Sequence, residues 1–235
     1  MQQTARSSGS VFAGILFLPM LWHERGDVGW LREVPRALVA GVDVETTGLD
    51  PRSDEILQIA VVYGDGSVAI NALTRSARHQ SWPCAEAIHG ITPEMVKGAP
   101  PIADVSARVA EALGGADLLV GYNLAFDIAF LEAAGIALPT CERFDVMREF
   151  APVANRRVRG AGGNRSYRFQ TLEACAKRYG YVGSPGRAFR PHDALNDTQA
   201  ALHCFYAMLE DDGSRYARAG QVPYLDVVAR RAKRV

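Results

Sequence analysis

Apolar positions in residues 38–73 come in short, dense runs, LVAGVDVE (38–45), EILQIAVVYG (55–64) and SVAINAL (67–73). Their length and β-branched content predict strands, and Gly64-Asp65-Gly66 is a hairpin signal between the last two. Three antiparallel strands in succession are therefore expected. Ahead of them, WLREVPRALV (30–39) reads as a short helix interrupted by Pro35. After residue 82 the period lengthens. CAEAIHG, TPEMVKG and PIADVSARVAEALGG read as helices closed by glycine, two of them opened near Thr92-Pro93 and Pro101. DLLVGYN (117–123) reads as a short buried strand, FDIAFLEAAG (126–135) as a helix and RFDVM as a further strand. RFQTLEACAKRYG and HDALNDTQAALHCFYAML have the pattern of amphipathic helices. Three strands followed by alternating helices and strands predict an α/β domain with a mixed central sheet. The Arg/Gly-rich ANRRVRGAGGNRSYR (154–168) reads as a loop. Residues 36–210 are expected to form the domain, with an N-terminal extension (1–35) and a basic C-terminal extension (211–235) ending in RRAKRV.

Composition changes this picture at one place. The 235 residues are 48% apolar and 22% charged with a net charge of zero, as in an ordinary soluble protein. Residues 148–190, however, hold ten Arg/Lys against Glu149 and Glu173. Such local excess points to an anion-binding surface more than to general affinity for nucleic acid. The four cysteines include no C-x-x-C pair, which argues against a zinc site and fits reduced thiols in a cytoplasmic protein. VFAGILFLPMLW (11–22) is shorter than the roughly 20 residues of a membrane span. HERGD follows it where a signal peptide would carry a small-residue cleavage site. No membrane association is expected.

The chemistry lies in the acids. In GVDVETTGLD (41–50), Asp43 and Glu45 are two apart on a strand and leave the same face. Alone, that pair is also met by a salt-bridged strand end. Asp127, in GYNLAFDIAFL, is by itself a first-turn acid favoured by the helix dipole. Asp197 differs: it shares a 3.6-residue stripe with Ala200, Ala201, Cys204 and Met208 and so points inward. An inward carboxylate needs a partner, and no basic residue stands at a matching offset. Four such acids suggest a site for hard divalent cations with oxygen ligands, Mg²⁺ or Mn²⁺. Two ions roughly 3.5–4 Å apart can promote phosphodiester hydrolysis. His192, at the entrance to the Asp197 helix, is the candidate general base, since imidazole is the side chain suited to taking a proton near neutral pH.

DVETTGL, GYNLAFD and HDALND resemble, in order and spacing, the three motifs of the DEDDh 3′–5′ exonucleases. That group includes the proofreading subunit of bacterial replicative DNA polymerase, ribonuclease T and oligoribonuclease. AIHGITPEMVKGAPP (87–101) resembles the segment between the first two motifs in the proofreading branch, and the resemblance spans residues 38–210. It implies an RNase H-like mixed sheet with helices on both faces. By resemblance, Asp43, Glu45 and Asp197 hold one cation, Asp43 bridges to a second, Asp127 completes the second site and His192 is the base. A sister group uses tyrosine one position later, where this chain has Asp193; Tyr122 stands where the family often has histidine.

The resemblance also implies that backbone near Thr46 meets a terminal 3′-hydroxyl while Leu49 wedges against the last bases. Core packing is the bland alternative for Leu49, and Gly48 would permit a close turn. Asn123 is expected to contact substrate or to cap the following helix. Arg156, Arg157, Arg159, Arg165 and Arg168 are candidate phosphate contacts, with Tyr167 and Phe169 as stacking surfaces or as core aromatics in a solvated loop. His89 reads as a structural histidine or a substrate contact, and His203 as an exposed helix residue. The expected function is a metal-dependent 3′–5′ exonuclease on single-stranded DNA that releases nucleoside 5′-monophosphates. The alternatives are an exoribonuclease, since discrimination rests on the 2′-hydroxyl, and an inactive nucleic-acid or polymerase-binding module. A DNA polymerase and a second copy of the chain are the protein partners that the resemblance admits.

Overall fold

The computed structural model describes residues 29–154, 157–159 and 165–211, with the side chains of 157–159, 165, 166 and 187 outside the description. Five strands, β1 (Val39–Thr46), β2 (Ile56–Tyr63), β3 (Val68–Leu73), β4 (Leu118–Gly121) and β5 (Glu142–Asp145), form one sheet in the order β3-β2-β1-β4-β5. The first three are antiparallel, as the hairpin signal implies, while β4 and β5 run parallel to β1. β1 is central, so it is covered on both faces and reads as a nearly continuous apolar run.

Alternation along β1 distributes its side chains to two cores. Ala40, Val42 and Val44 face α4 (Ile102–Gly114) and α5 (Leu124–Ala133) in a cluster with Val109, Leu113, Phe130 and Leu131. Val39 faces the opposite side, where α1 (Trp30–Glu33), α6 (Val146–Ala154), α7 (Leu172–Arg178) and α8 (Ala194–Glu210) pack. α8 crosses β1 at Gly41, where a Cβ would lie 2.8 Å from Leu202 Cγ and Thr198 Cγ2. Glycine there lets helix and strand approach closely. A third cluster of Leu57, Trp82, Ile91 and Val96 seats α2 (Pro83–His89) and α3 (Pro93–Val96). Trp82 Nε1 donates to Ile91 O at 2.7 Å there.

Three expectations need correction. Residues 154–168 are not simply a loop: β6 (Arg157–Arg159) and β7 (Arg165–Tyr167) pair antiparallel, Val158 opposite Ser166. Arg/Gly composition masked a short alternating pattern. RFDVM is a strand only to Asp145; α6 begins at Val146 and continues through Pro152. Residues 168–170 do not belong to the helix that follows, because α7 starts after Thr171, whose Oγ1 caps it by accepting from Ala174 N at 3.2 Å. A two-residue hairpin, β8 (Gly183–Ser184) with β9 (Arg187–Ala188), precedes α8. Residues 11–22 and Arg156 lie outside the described residues.

Candidate active site

Asp43 and Glu45 alternate along β1 onto the face covered by α8, which presents Asp197 from its first turn. β1 outruns its parallel neighbour, since pairing with β4 ends at Gly41 opposite Val120. Beyond that point Val44 N–H donates to Asp127 Oδ1 at 3.2 Å, which draws the buried carboxylate of α5 toward the strand. At the entrance to α8, His192 N–H donates to Asp197 Oδ2 at 3.0 Å, and Asp193 caps the helix by accepting from Asn196 N at 3.0 Å. His192 is exposed and has φ 63°, the left-handed region that a non-glycine residue seldom occupies. One ligand atom from each of Glu45, His192 and Asp197 lies within 4.8 Å of the other two.

The four acids thus meet at the C-terminal end of β1, at a spacing of 84 and 70 residues along the chain from Asp43 to Asp127 and on to Asp197. No salt bridge reaches any of them among the described residues. Asp127 Oδ2 and Asp197 Oδ1 are buried without a hydrogen-bond partner. Burial, then the charges of Asp127, Asp197, Glu45 and Asp193, push the Asp43 carboxyl well up. Burial lifts Glu45 to about 8, helped by Asp197 and Asp193. Asp197 rises to about 7 through burial, opposed by the His192 N–H bond and reinforced by Asp193 and Glu173. Asp127 is likewise raised, chiefly by burial. Four carboxyls with raised affinity for protons and two orphaned oxygens form a cage that cations would satisfy. Oxygen donors of this kind suit Mg²⁺ or Mn²⁺.

The turn after β1 is held from several sides. Thr46 is buried, and its carbonyl receives His89 Nε2 at 3.2 Å. His89 Nδ1 accepts from Ile91 N at 2.9 Å, so the Nε2 position carries the proton. His89 is therefore a structural histidine that buttresses the turn, its pKa lowered first by burial and further by His192. Thr47 Oγ1 bonds Asp54 Oδ1 at 3.1 Å, and a Cβ on Gly48 would lie 2.5 Å from Asp54 Oδ2. Asp54 occupies the space that a side chain at position 48 would take, so the glycine lets the turn close against that carboxylate. Leu49 is 83% exposed, which rules out the core-packing alternative.

Asn123 precedes α5 with φ 64° but makes no side-chain cap bond, so the capping alternative fails. Its conformation is held by Asp145, whose Oδ1 accepts from Asn123 N and Met147 N, both at 3.1 Å. Sequence reasoning missed Asp145; its signal is a lone acid at a strand-to-helix junction. Gln58 was also missed, a single amide in an otherwise apolar strand. Tyr122 donates to Gln170 O at 2.9 Å, tying the second motif to the segment before α7. In that segment Arg168, Phe169 and Tyr167 are all exposed, so the two aromatics are not core. Arg168 makes no salt bridge to the acids among the described residues, and the Arg165 side chain lies outside the description. His203 is exposed on α8 and bonds Tyr179 O at 2.9 Å.

Residues 41–205 match the model of the RNase T exonuclease family. The chain belongs to this exonuclease family. Among its relatives, the DNA polymerase III subunit epsilon-like protein of Rhodobacter capsulatus is 33% identical over 192 residues, covering 79% of this chain and 26% of that protein. The DNA polymerase III PolC-type of Bacillus subtilis is 29% identical over 171 residues, covering 72% and 11%. The chain thus spans about a quarter or less of these relatives' lengths. Exonuclease X in complex with 5′ overhanging duplex DNA is 25% identical with TM-score 0.54, covering 80% of this chain and 99% of that one. Escherichia coli exonuclease I in complex with a dA16 oligonucleotide shares the fold, at 20% identity and TM-score 0.56 over 73% and 40% of the two chains. The exonuclease fold here is the RNase H-like one, and the family is that of the DnaQ-like 3′–5′ exonucleases.

Proposed function

We propose that the chain removes nucleoside 5′-monophosphates one at a time from the 3′ end of single-stranded DNA, with Asp43, Glu45, Asp127 and Asp197 as metal ligands. The observation that carries this reading is the gathering of four carboxylates, two with orphaned buried oxygens, beside an exposed histidine. Two divalent cations, Mg²⁺ or Mn²⁺, held there would neutralise the scissile phosphate and acidify the attacking water. Asp43, on the central strand, would contribute to both positions, with Glu45 and Asp197 on one side and Asp127 on the other. His192, exposed on its loop, takes the proton from the water at an imidazole nitrogen. The anchored Thr46 backbone receives the 3′ end, Leu49 packs against the terminal bases, and Asn123 borders the nucleotide. Arg168, with Arg165, takes phosphates of the incoming strand.

Preference for DNA is supported by the DNA-bound Exonuclease X and by relatives named for DNA polymerase III. On the same ground we infer a cytoplasmic enzyme that serves a polymerase or acts on free 3′ ends; no helix among the described residues is long and apolar enough to cross a membrane. We take residues 36–210 as the catalytic domain. The test uses 5′-labelled single-stranded DNA and RNA of one sequence with Mg²⁺ or Mn²⁺, beside EDTA and Asp43→Ala controls. A ladder shortening from the 3′ end, absent in both controls and faster for DNA, is expected. Faster RNA decay would make the enzyme an exoribonuclease, and no decay of either would leave a binding module.

A further inference from the structure

We propose that Gln58 is a positioning residue that ties the His192 loop to the sheet and so sets the reach of the general base. The inference rests on the exonuclease reading above. Gln58 is 7% exposed, the one buried polar side chain in the run Ile56–Tyr63. It lies opposite Glu45 in the β1–β2 pair, so both side chains leave the α8 face of the sheet. Its Oε1 accepts from Ala194 N at 3.2 Å, across 136 residues of sequence, and its Nε2 donates to Asn71 Oδ1 at 3.2 Å. A backbone N–H can only donate, so these partners fix the orientation of the amide.

Ala194 is the first residue of α8, where an N–H has no intrahelical acceptor. It follows His192 by two positions. The neighbouring bonds, His192 N to Asp197 and Asn196 N to Asp193, run within the helix entrance and travel with α8. The Gln58 bond instead runs to the strand beside Glu45. His192 holds an unfavourable φ of 63°, and such a conformation persists only where its surroundings over-determine it. Gln58 supplies that constraint at the loop's C-terminal end. A leucine would fill the same space on the apolar strand and leave both the Ala194 N–H and Asn71 without their partner.

The test combines kinetics on a single-stranded DNA oligonucleotide with hydrogen exchange of the Ala194 amide. Gln58→Leu is expected to lower kcat about tenfold, the size of one lost buried hydrogen bond, with KM nearly unchanged. Gln58→Glu keeps an oxygen on Ala194 N–H, and the Asn71 amide can turn to donate to it, so this variant should recover most of kcat. In a His192→Ala background Gln58→Leu should cost less than about twofold, because the two residues act as a unit. Ala194 exchange should quicken about tenfold in Gln58→Leu and not in Gln58→Glu. An equal loss of kcat in both backgrounds, or unchanged Ala194 exchange, would overturn the proposal. If Gln58→Leu does not fold, Asn71→Ala at an exposed position removes one end of the strut. It should reduce kcat about threefold in wild-type background only, and no reduction would count against the strut. A wild-type chain inactive on every substrate would overturn the exonuclease reading and with it the catalytic role of Gln58, whereas unchanged Ala194 exchange in an active chain would overturn the strut alone.

Discussion

At the scale of residues, His192 is the group proposed to take the proton from water, and its placement fits that role. Its backbone N–H is bound to a carboxylate of the acid cluster, Asp197, while the residue stays exposed to solvent. His192→Ala should lower kcat by about 10²–10⁴-fold, the usual loss for a general base. Mn²⁺ binding measured by calorimetry should persist, because the four carboxylates remain. Wild-type turnover in this variant would remove His192 from the chemistry. At this scale the acids were legible because an inward carboxylate violates the apolar stripe around it, as Asp197 does beside Ala200 and Ala201. Asp145 and Gln58 were not, because their partners, Asn123 N and Ala194 N, are distant backbone groups that no local pattern announces.

At the scale of elements, the site depends on how closely α8 lies on β1. Gly41→Ala puts a methyl 2.8 Å from Leu202 Cγ and Thr198 Cγ2, so side chains of α8 must shift. The expected cost is about 1–3 kcal/mol from overpacking, read by denaturant melts. Activity should fall too, because lifting α8 separates Asp197 from Asp43 and Glu45. The proposed path of the substrate runs along the segment after the β6–β7 hairpin. Binding of single-stranded DNA to an Asp43→Ala protein should weaken in Arg168→Ala, with the slope of log K against log salt reduced by about 0.7. An unchanged slope would take Arg168 off the phosphate path. The long periodic helices and strands could be read directly. The hairpin escaped because each of its strands has only three residues, too few for alternation to stand out against arginine and glycine.

The molecule as a whole carries a cost at its centre. Glu45 and Asp197 bind protons more tightly when folded, at about 8 and about 7, than carboxyls do in an unfolded chain at about 4. Between those values the folded state holds more protons than the unfolded one, so stability falls as pH rises. Without metal, Tm should be higher at pH 5 than at pH 8. Saturating Mg²⁺ should raise Tm most at pH 8, because binding favours the ionised folded state. A metal-free Tm that climbs from pH 5 to 8 would contradict the raised pKa values of Glu45 and Asp197. By itself the sequence determined the strand and helix periods, the inward direction of Asp197 and the pairing of Asp43 with Glu45 on one face, because these follow from local geometry. Only the tertiary structure decided that Asp127 reaches β1 past the end of β4, that His89 braces Thr46, and that Gln58 meets Ala194. Those contacts arise from the sheet order β3-β2-β1-β4-β5 and from the crossing of α8 at Gly41. Local periodicity carries no record of them, because they join groups far apart in the chain through backbone atoms that every residue shares.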